Sequence, residues 1–185
     1  MNSIELMIEE HGHIKRMLQV IRKACYGVMQ GEPICYEDFC AMIDFVRNYA
    51  DNHHHGKEEK VLFNRMMEHL GEVGNKIIRN GMLVEHDLGR LYMQELEGAL
   101  QKHKEGDEES RLDIIANAVG YVHLLTRHIA KEDEVVYTFA ERQLKPEILE
   151  EIHAKAKELE LEAEKQGVQN KYLELLATLE KKYLG

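Results

Sequence analysis

The residues with the clearest chemical potential belong to a pattern that occurs twice. The first copy, residues 54–63, reads HHGKEEKVLF, and the second, residues 128–137, reads HIAKEDEVVY. Each copy places a histidine four residues before a glutamate, giving the pairs His54/Glu58 and His128/Glu132. Positions i and i+4 share one face of an α-helix, so each copy offers an imidazole and a carboxylate in the same direction.

A second duplication accompanies the first. Residues 7–11, MIEEH, resemble residues 82–86, MLVEH, and end in His11 and His86. These two segments lie 75 residues apart, and the two copies of the longer pattern lie 74 apart. The chain therefore carries one arrangement, a histidine followed later by His-x-x-x-Glu, written twice.

Helices must position these residues. Apolar side chains recur at helical spacing over about residues 3–29, 36–70, 75–104 and 109–143, with a turn expected at residues 71–74. Pro146 and Gly167 precede two further helices, and no stretch of useful length alternates with period two. The pattern predicts an all-α fold, an antiparallel up-down four-helix bundle with additional C-terminal helices. We expect residues 1–144 to form the bundle and residues 145–185 to form a helical extension that packs on the bundle or on a partner.

The turns also predict how far along the bundle each polar residue lies. Counted from the nearest turn, the polar residues of neighbouring helices stand at similar distances. At about 1.5 Å per residue these distances agree within about 3 Å, which is less than one helical turn. Six residues on apolar stripes should therefore share one layer: His11, His54, Glu58, His86, His128 and Glu132.

Such a layer predicts a metal site. A buried carboxylate without a partner is costly, and neutral imidazoles cannot offset two of them. Two metal ions can offset the two carboxylates, with the glutamates as bridging ligands and two histidines bound to each metal. Nitrogen and oxygen ligands without thiolate fit non-haem iron first, and manganese or zinc also fit. The alternative is a polar network satisfied within an ordinary bundle, which explains one such histidine better than six duplicated residues.

The register of the first copy needs a choice, because His55 and Glu59 satisfy the same spacing. His54 lies on the apolar stripe of its helix, whereas His55 follows Asp51 by one turn. We therefore predict that His54 and Glu58 bind metal, and that His55 and Glu59 lie in the shell around the ligands.

Three further polar residues are candidates for that shell. Arg90, one turn after His86, is expected to donate hydrogen bonds to a glutamate ligand or an oxygen species, or to cap the polar layer. Tyr121 and Tyr137 lie within about two turns of His128, where they pack in the core or supply a hydrogen bond, a proton or a phenolate. His53 is expected near the site or at the surface. Surface positions are expected for His13, His69, His103, His123 and His153.

Composition limits the partners. The 185 residues carry a formal net charge of −10, which argues against a nucleic-acid partner because phosphate binding needs a basic face. The sequence lacks an apolar run of membrane-spanning length and a basic signal-peptide start, so no membrane is expected. Three cysteines without metal-ligand spacing favour a reducing cytoplasm. A homodimer is one way to bury the apolar stripes of the C-terminal helices.

The combined motifs resemble the hemerythrin-like family, also called the HHE cation-binding family, over about residues 3–140. The similar elements are Glu-His in the first and third helices and His-x-x-x-Glu-Glu in the second. The resemblance implies a carboxylate-bridged di-iron site that binds dioxygen or related small ligands. One departure is Met82, which stands where the oxygen-carrying members have a further histidine. The second His-x-x-x-Glu also differs from their His and Asp, which are one residue further apart.

These departures favour intracellular relatives linked to peroxide, nitric oxide or iron handling over simple oxygen carriage. Our first hypothesis is a di-iron protein that binds and consumes such a small oxidant in oxidative or nitrosative stress or in iron handling. The second is a reversible oxygen- or iron-binding sensor without turnover, in which the C-terminal helices signal or dimerise. The third is a purely structural bundle.

Overall fold

Six helices make up the computed structural model, which describes residues 2–185 and has no strand in that range. Helix α1 spans Ser3–Met29, α2 residues 36–69, α3 residues 71–104 and α4 residues 110–143. Helix α5 spans Pro146–Lys165 and α6 spans Val168–Tyr183. The first four form the predicted antiparallel bundle, so the all-α fold is confirmed.

Local sequence explains where the helices start and stop. The Asn2 side chain accepts hydrogen bonds from Ile4 and Glu5, and the Glu5 carboxylate accepts from the Asn2 amide, which completes a capping box. The turn expected at residues 71–74 is shorter than predicted. The break is confined to Leu70 and to Gly71, whose φ of +59° favours glycine, and α3 starts at Gly71.

Three of the bundle helices contain π-helical segments. They are Val46–His55 and Glu58–Phe63 in α2, Ile78–Met82 in α3 and Glu132–Val136 in α4. In α4, for example, the Tyr137 amide donates to the carbonyl of Glu132, five residues earlier. Such segments are rare and frequently mark functional sites. Here they adjoin or contain the candidate ligands, a feature that helical periodicity did not predict.

The core consists of two apolar clusters with the polar layer between them. Along α1, Met7 belongs to one cluster and Ile14 to the other, and His11 lies between them. Along α4, Leu125 and Val136 likewise flank the polar layer. The bundle therefore buries its polar residues at one level, as the distances from the turns predicted.

The C-terminal helices pack against the bundle of the same chain. Tyr172, Leu176 and Leu179 of α6 are buried in the cluster that contains Ile14, and Ile152 of α5 is buried in the other. The apolar stripes are thus covered within one chain. The division into two domains and the homodimer stay predictions.

Among residues 2–185, no helix is long and apolar enough to cross a membrane.

The three cysteines should differ in reactivity. Cys25 is buried in α1, and burial raises the pKa of its thiol to about 12, whereas Cys40 is exposed. Because the thiolate is the nucleophile, iodoacetamide should label Cys40 in the native protein and label Cys25 only after denaturation. Peptide mass spectrometry gives the result, and equal labelling of both in the native state would contradict the packing of α1.

Candidate metal centre

Two groups of possible ligands lie next to each other inside the bundle. The first comprises His11, His54, Glu58 and Glu132, and the second comprises His55, Glu58, His86 and His128. Within each group the four ligand atoms lie within 4.8 Å of one another, and every member is buried. The six predicted residues thus come together, and His55 joins them.

The two glutamates connect the groups. Glu58 Oε2 lies 3.7 Å from His54 Nε2 and 3.5 Å from His86 Nε2, although these histidines belong to different groups. Glu132 lies 3.3 Å from His11 Nε2 through one oxygen and 3.0 Å from His128 Nε2 through the other. Each carboxylate therefore contacts histidines of both groups.

The donor atoms that face the centre are short of partners. His11 Nε2, His54 Nε2, Glu58 Oε2 and both oxygens of Glu132 are buried without a hydrogen-bond partner among the described residues. Unsatisfied buried polar atoms are uncommon and need a cause. Unpaired nitrogens and carboxylate oxygens that converge from three helices fit metal ions, and they do not fit a satisfied polar network.

Outer carboxylates orient the imidazoles. Four histidines hydrogen-bond an acidic side chain through Nδ1, at 2.6–2.8 Å, which leaves Nε2 directed inward. Such a carboxylate fixes the ring and makes it a more basic ligand. The four pairs are His11/Asp133, His54/Glu10, His86/Glu59 and His128/Glu85.

This outer shell is duplicated like the ligands themselves. Glu10 and Glu85 each precede the histidine of their own helix and contact the histidine of the next helix. Lys57 and Lys131, at matching positions of the two copies, form ion pairs with Glu10 and Glu85. The sequence contained this signal, because all four residues lie inside the repeated segments, but their contacts required the structure.

Two substitutions make the halves unequal. His55 of the first copy corresponds in sequence to Ile129 of the second, so one group has three imidazoles and the other has two. Tyr137 corresponds to Phe63, and only the tyrosine has a hydroxyl, which donates to Glu58 Oε1 at 2.5 Å. The Tyr137 ring also stacks on His11, with ring centroids 5.6 Å apart.

The carboxylates and imidazoles perturb one another. Burial and the neighbouring Glu132 raise the pKa of Glu58 well above its ordinary value. Burial lowers the pKa of His128, but contacts with Glu132 and Glu85 outweigh it and raise this pKa to about 9. Burial and the nearby His11 lower the pKa of His54 to about 4, so this imidazole is neutral, as a ligand must be.

Other predicted residues lie around the layer. Arg90 binds Asp51 and Glu59 rather than Glu58 or Glu132, so its contact with the ligands runs through Glu59 and His86. Tyr121 is buried near Gly89, away from the centre of the layer.

The remaining histidines divide into two sets. His69 and His123 are exposed as predicted. His13, His103 and His153 are half-buried, and they form hydrogen bonds with Tyr49, Tyr36 and Ser3, respectively. These three histidines are therefore less exposed than predicted.

The model of the hemerythrin HHE cation-binding domain matches residues 2–140. The chain belongs to this family. The matched region covers the four bundle helices up to Ala140 and contains every ligand candidate. The buried histidine and glutamate groups lie within the matched domain and offer the imidazole and carboxylate ligands expected of its cation-binding site.

Curated relatives come from Mycobacterium. Uncharacterised proteins of Mycobacterium bovis and of two Mycobacterium tuberculosis strains are each 22% identical over 133 residues, which cover 72% of this chain and 51% of theirs. The chain spans about half the length of these relatives. No solved structure matches it significantly.

The hydroxyl of Tyr137 offers a direct test of the layer. Tyr137→Phe leaves Glu58 Oε1 without its donor, and we expect the metal-free protein to lose about 1–3 kcal/mol of unfolding free energy. Urea denaturation of the chelator-treated protein measures this loss. Tyr92→Phe, on the half-buried face of α3, serves as the control. Equal stability of wild type and Tyr137→Phe would contradict the hydrogen bond.

Proposed function

We propose that this protein holds two non-haem iron ions bridged by Glu58 and Glu132. His11 and His54 would bind one iron, and His86 and His128 the other, where His55 adds a third imidazole. The observation that carries the proposal is the convergence of buried imidazole and carboxylate donor atoms in two groups that share Glu58. Five donor atoms of the first group have no hydrogen-bond partner among the described residues. Nitrogen and oxygen ligands without thiolate favour iron, and manganese or zinc fit the same donors.

Bound iron would supply reversible one-electron chemistry toward a small oxidant, and the protein's own residues set the conditions for it. Glu59, Glu85, Glu10 and Asp133 hold the imidazoles in register. Tyr137 keeps a hydroxyl beside Glu58, to which it donates a hydrogen bond, and burial together with Glu58 raises the pKa of this hydroxyl well above its ordinary value, so that it holds its proton. The buried layer limits water, because the ligand side chains are almost fully excluded from solvent.

A small cavity beside the layer supports a small ligand. It measures about 130 Å³ and is lined by Val46, Arg47, Asp51, His55, His86, Gly89, Arg90, Met93 and Tyr121. Dry cavities of roughly 150 Å³ accept benzene, so a space of this size admits dioxygen, nitric oxide or peroxide. We therefore favour binding and consumption of such a molecule, in oxidative or nitrosative stress or in iron handling, in the cytoplasm.

Reversible binding of oxygen or iron without turnover is the second candidate. It is favoured by the direct contact of Glu160, on the C-terminal helix α5, with Lys57 in the shell of the site. A sensor needs such a link between the site and another part of the chain.

Metal content and peroxide consumption test the main proposal together. The purified protein should contain about two irons per chain, melt at a lower temperature after chelation, and consume peroxide faster than an equal amount of free iron. Two irons without turnover would favour the sensor. Far less than two metals per chain, with a melting temperature unchanged by chelation, would overturn the metal centre.

A pair of glutamate variants tests the bridging register. Glu58→Gln should abolish retention of both irons, because Glu58 belongs to both ligand groups. The adjacent Glu59, which among the ligands contacts only the outer nitrogen of His86, is the comparison, and Glu59→Gln should weaken iron binding by about 10–100-fold. Iron titration of both variants measures the difference. If Glu58→Gln kept two irons and Glu59→Gln lost them, the bridge would have to be Glu59.

A further inference from the structure

A third group of acidic and histidine side chains lies behind the proposed iron ligands. It comprises Glu10, His53 and Glu160, from α1, α2 and α5. A lysine already supplies the cation here: Lys57 Nζ forms an ion pair with Glu10 and lies 2.6 Å from Glu160 Oε2 and 3.0 Å from His53 Nε2. The group is therefore an ion-pair network around an ammonium group, and it leaves little room for a metal ion.

This network leads directly to a ligand. Glu10 uses one carboxylate oxygen for Lys57 and the other for His54 Nδ1, at 2.8 Å. On the far side, Gln169 of α6 donates to the second oxygen of Glu160, at 2.7 Å. An unbroken chain of polar contacts thus runs from the C-terminal helices to an imidazole whose Nε2 faces the centre.

In the part of the chain that the structure describes, the second half of the site, around His128, has no such contact with the C-terminal helices. Lys131 pairs with Glu85, which orients His128, in the same way as Lys57 pairs with Glu10. The Lys131 side chain is nevertheless 44% exposed, whereas that of Lys57 is 2% exposed. A buried ammonium group needs an ionic partner and further hydrogen-bond partners for its remaining hydrogens. Glu160 is one of these partners for Lys57, whereas the more exposed Lys131 contacts Glu85 alone among the described residues.

We propose that Glu160 is a positioning residue for the metal centre: through Lys57 and Glu10 it holds the His54 imidazole in its ligating orientation. The C-terminal extension, which lies beyond the family-matched residues 2–140, would thereby control one of the two metal positions. This inference rests on the proposed di-iron site.

Iron release from the loaded full-length protein tests the proposal. In Glu160→Gln, we expect one of the two irons to pass to a ferrous chelator about 10-fold faster. Loss of a group that hydrogen-bonds a ligand weakens metal binding by about 10–100-fold. Because Glu160 acts on His54 through Lys57 and Glu10, its effect should lie at the lower end of that range. The other iron should leave at the wild-type rate. Glu164→Gln, an exposed glutamate one turn further along α5, is the matched control and should behave as wild type.

Mössbauer spectroscopy of the same samples separates positioning from general loosening. A positioning role predicts that Glu160→Gln changes the quadrupole splitting of one iron and leaves the other unchanged. Glu160→Ala should give the same pattern more strongly. Equal acceleration of both irons, or release from Glu160→Gln at the rate of Glu164→Gln, would overturn the inference while the di-iron site stood. A wild-type protein that holds no iron would overturn both.

Discussion

The structure depends on two buried carboxylates, Glu58 and Glu132, that lie side by side between four helices. Both are fully excluded from solvent, and three of their four oxygens have no hydrogen-bond partner in the described chain. Burial of two adjacent anions is strongly unfavourable unless cations or protons neutralise them. The neighbouring imidazoles, the raised pKa of Glu58 and the placement of apolar clusters above and below the layer are all consequences of that constraint.

Because the ligand segments are duplicated, short stretches of sequence are enough to supply the whole arrangement. Each copy contributes one histidine and glutamate pair of ligands. It also contributes one carboxylate that orients a histidine of its own copy and one that orients a histidine of the other copy. Two of the differences between the copies change the site itself, namely His55 against Ile129 and Tyr137 against Phe63. Because three imidazoles lie on one side and a tyrosine hydroxyl lies near the other, two metal ions held here would have different surroundings.

Much of this could be predicted from the sequence, and the limits have physical causes. Helical periodicity and the distances from the turns placed six residues in one layer, because in a straight bundle residue number converts directly into height. The same periodicity put His55 outside the ligand groups. Residues 46–55 are π-helical, so the assumption of 3.6 residues per turn fails there.

Helical periodicity could not predict contacts between residues that are far apart in the sequence. A four-helix bundle considered alone has solvent on the outer face of α2, so His53 was expected near the site or at the surface and Lys57 was not singled out. The structure covers this face with α5, and both side chains are buried. The sequence of α5 is amphipathic but does not name its partner surface, so the role of Glu160 could not be read from the pattern.

The position of Glu160 also bears on where the functional unit ends. Similarity to the family stops at residue 140, in the last turn of α4, and every candidate ligand lies before that point. Ligands alone do not define a metal centre, however, because the partners of their outer nitrogens set their orientation and basicity. His54 depends on Glu10, Glu10 is paired with Lys57, and Lys57 is neutralised by a residue of α5. By this criterion the extension belongs to the metal centre, although it contributes no ligand.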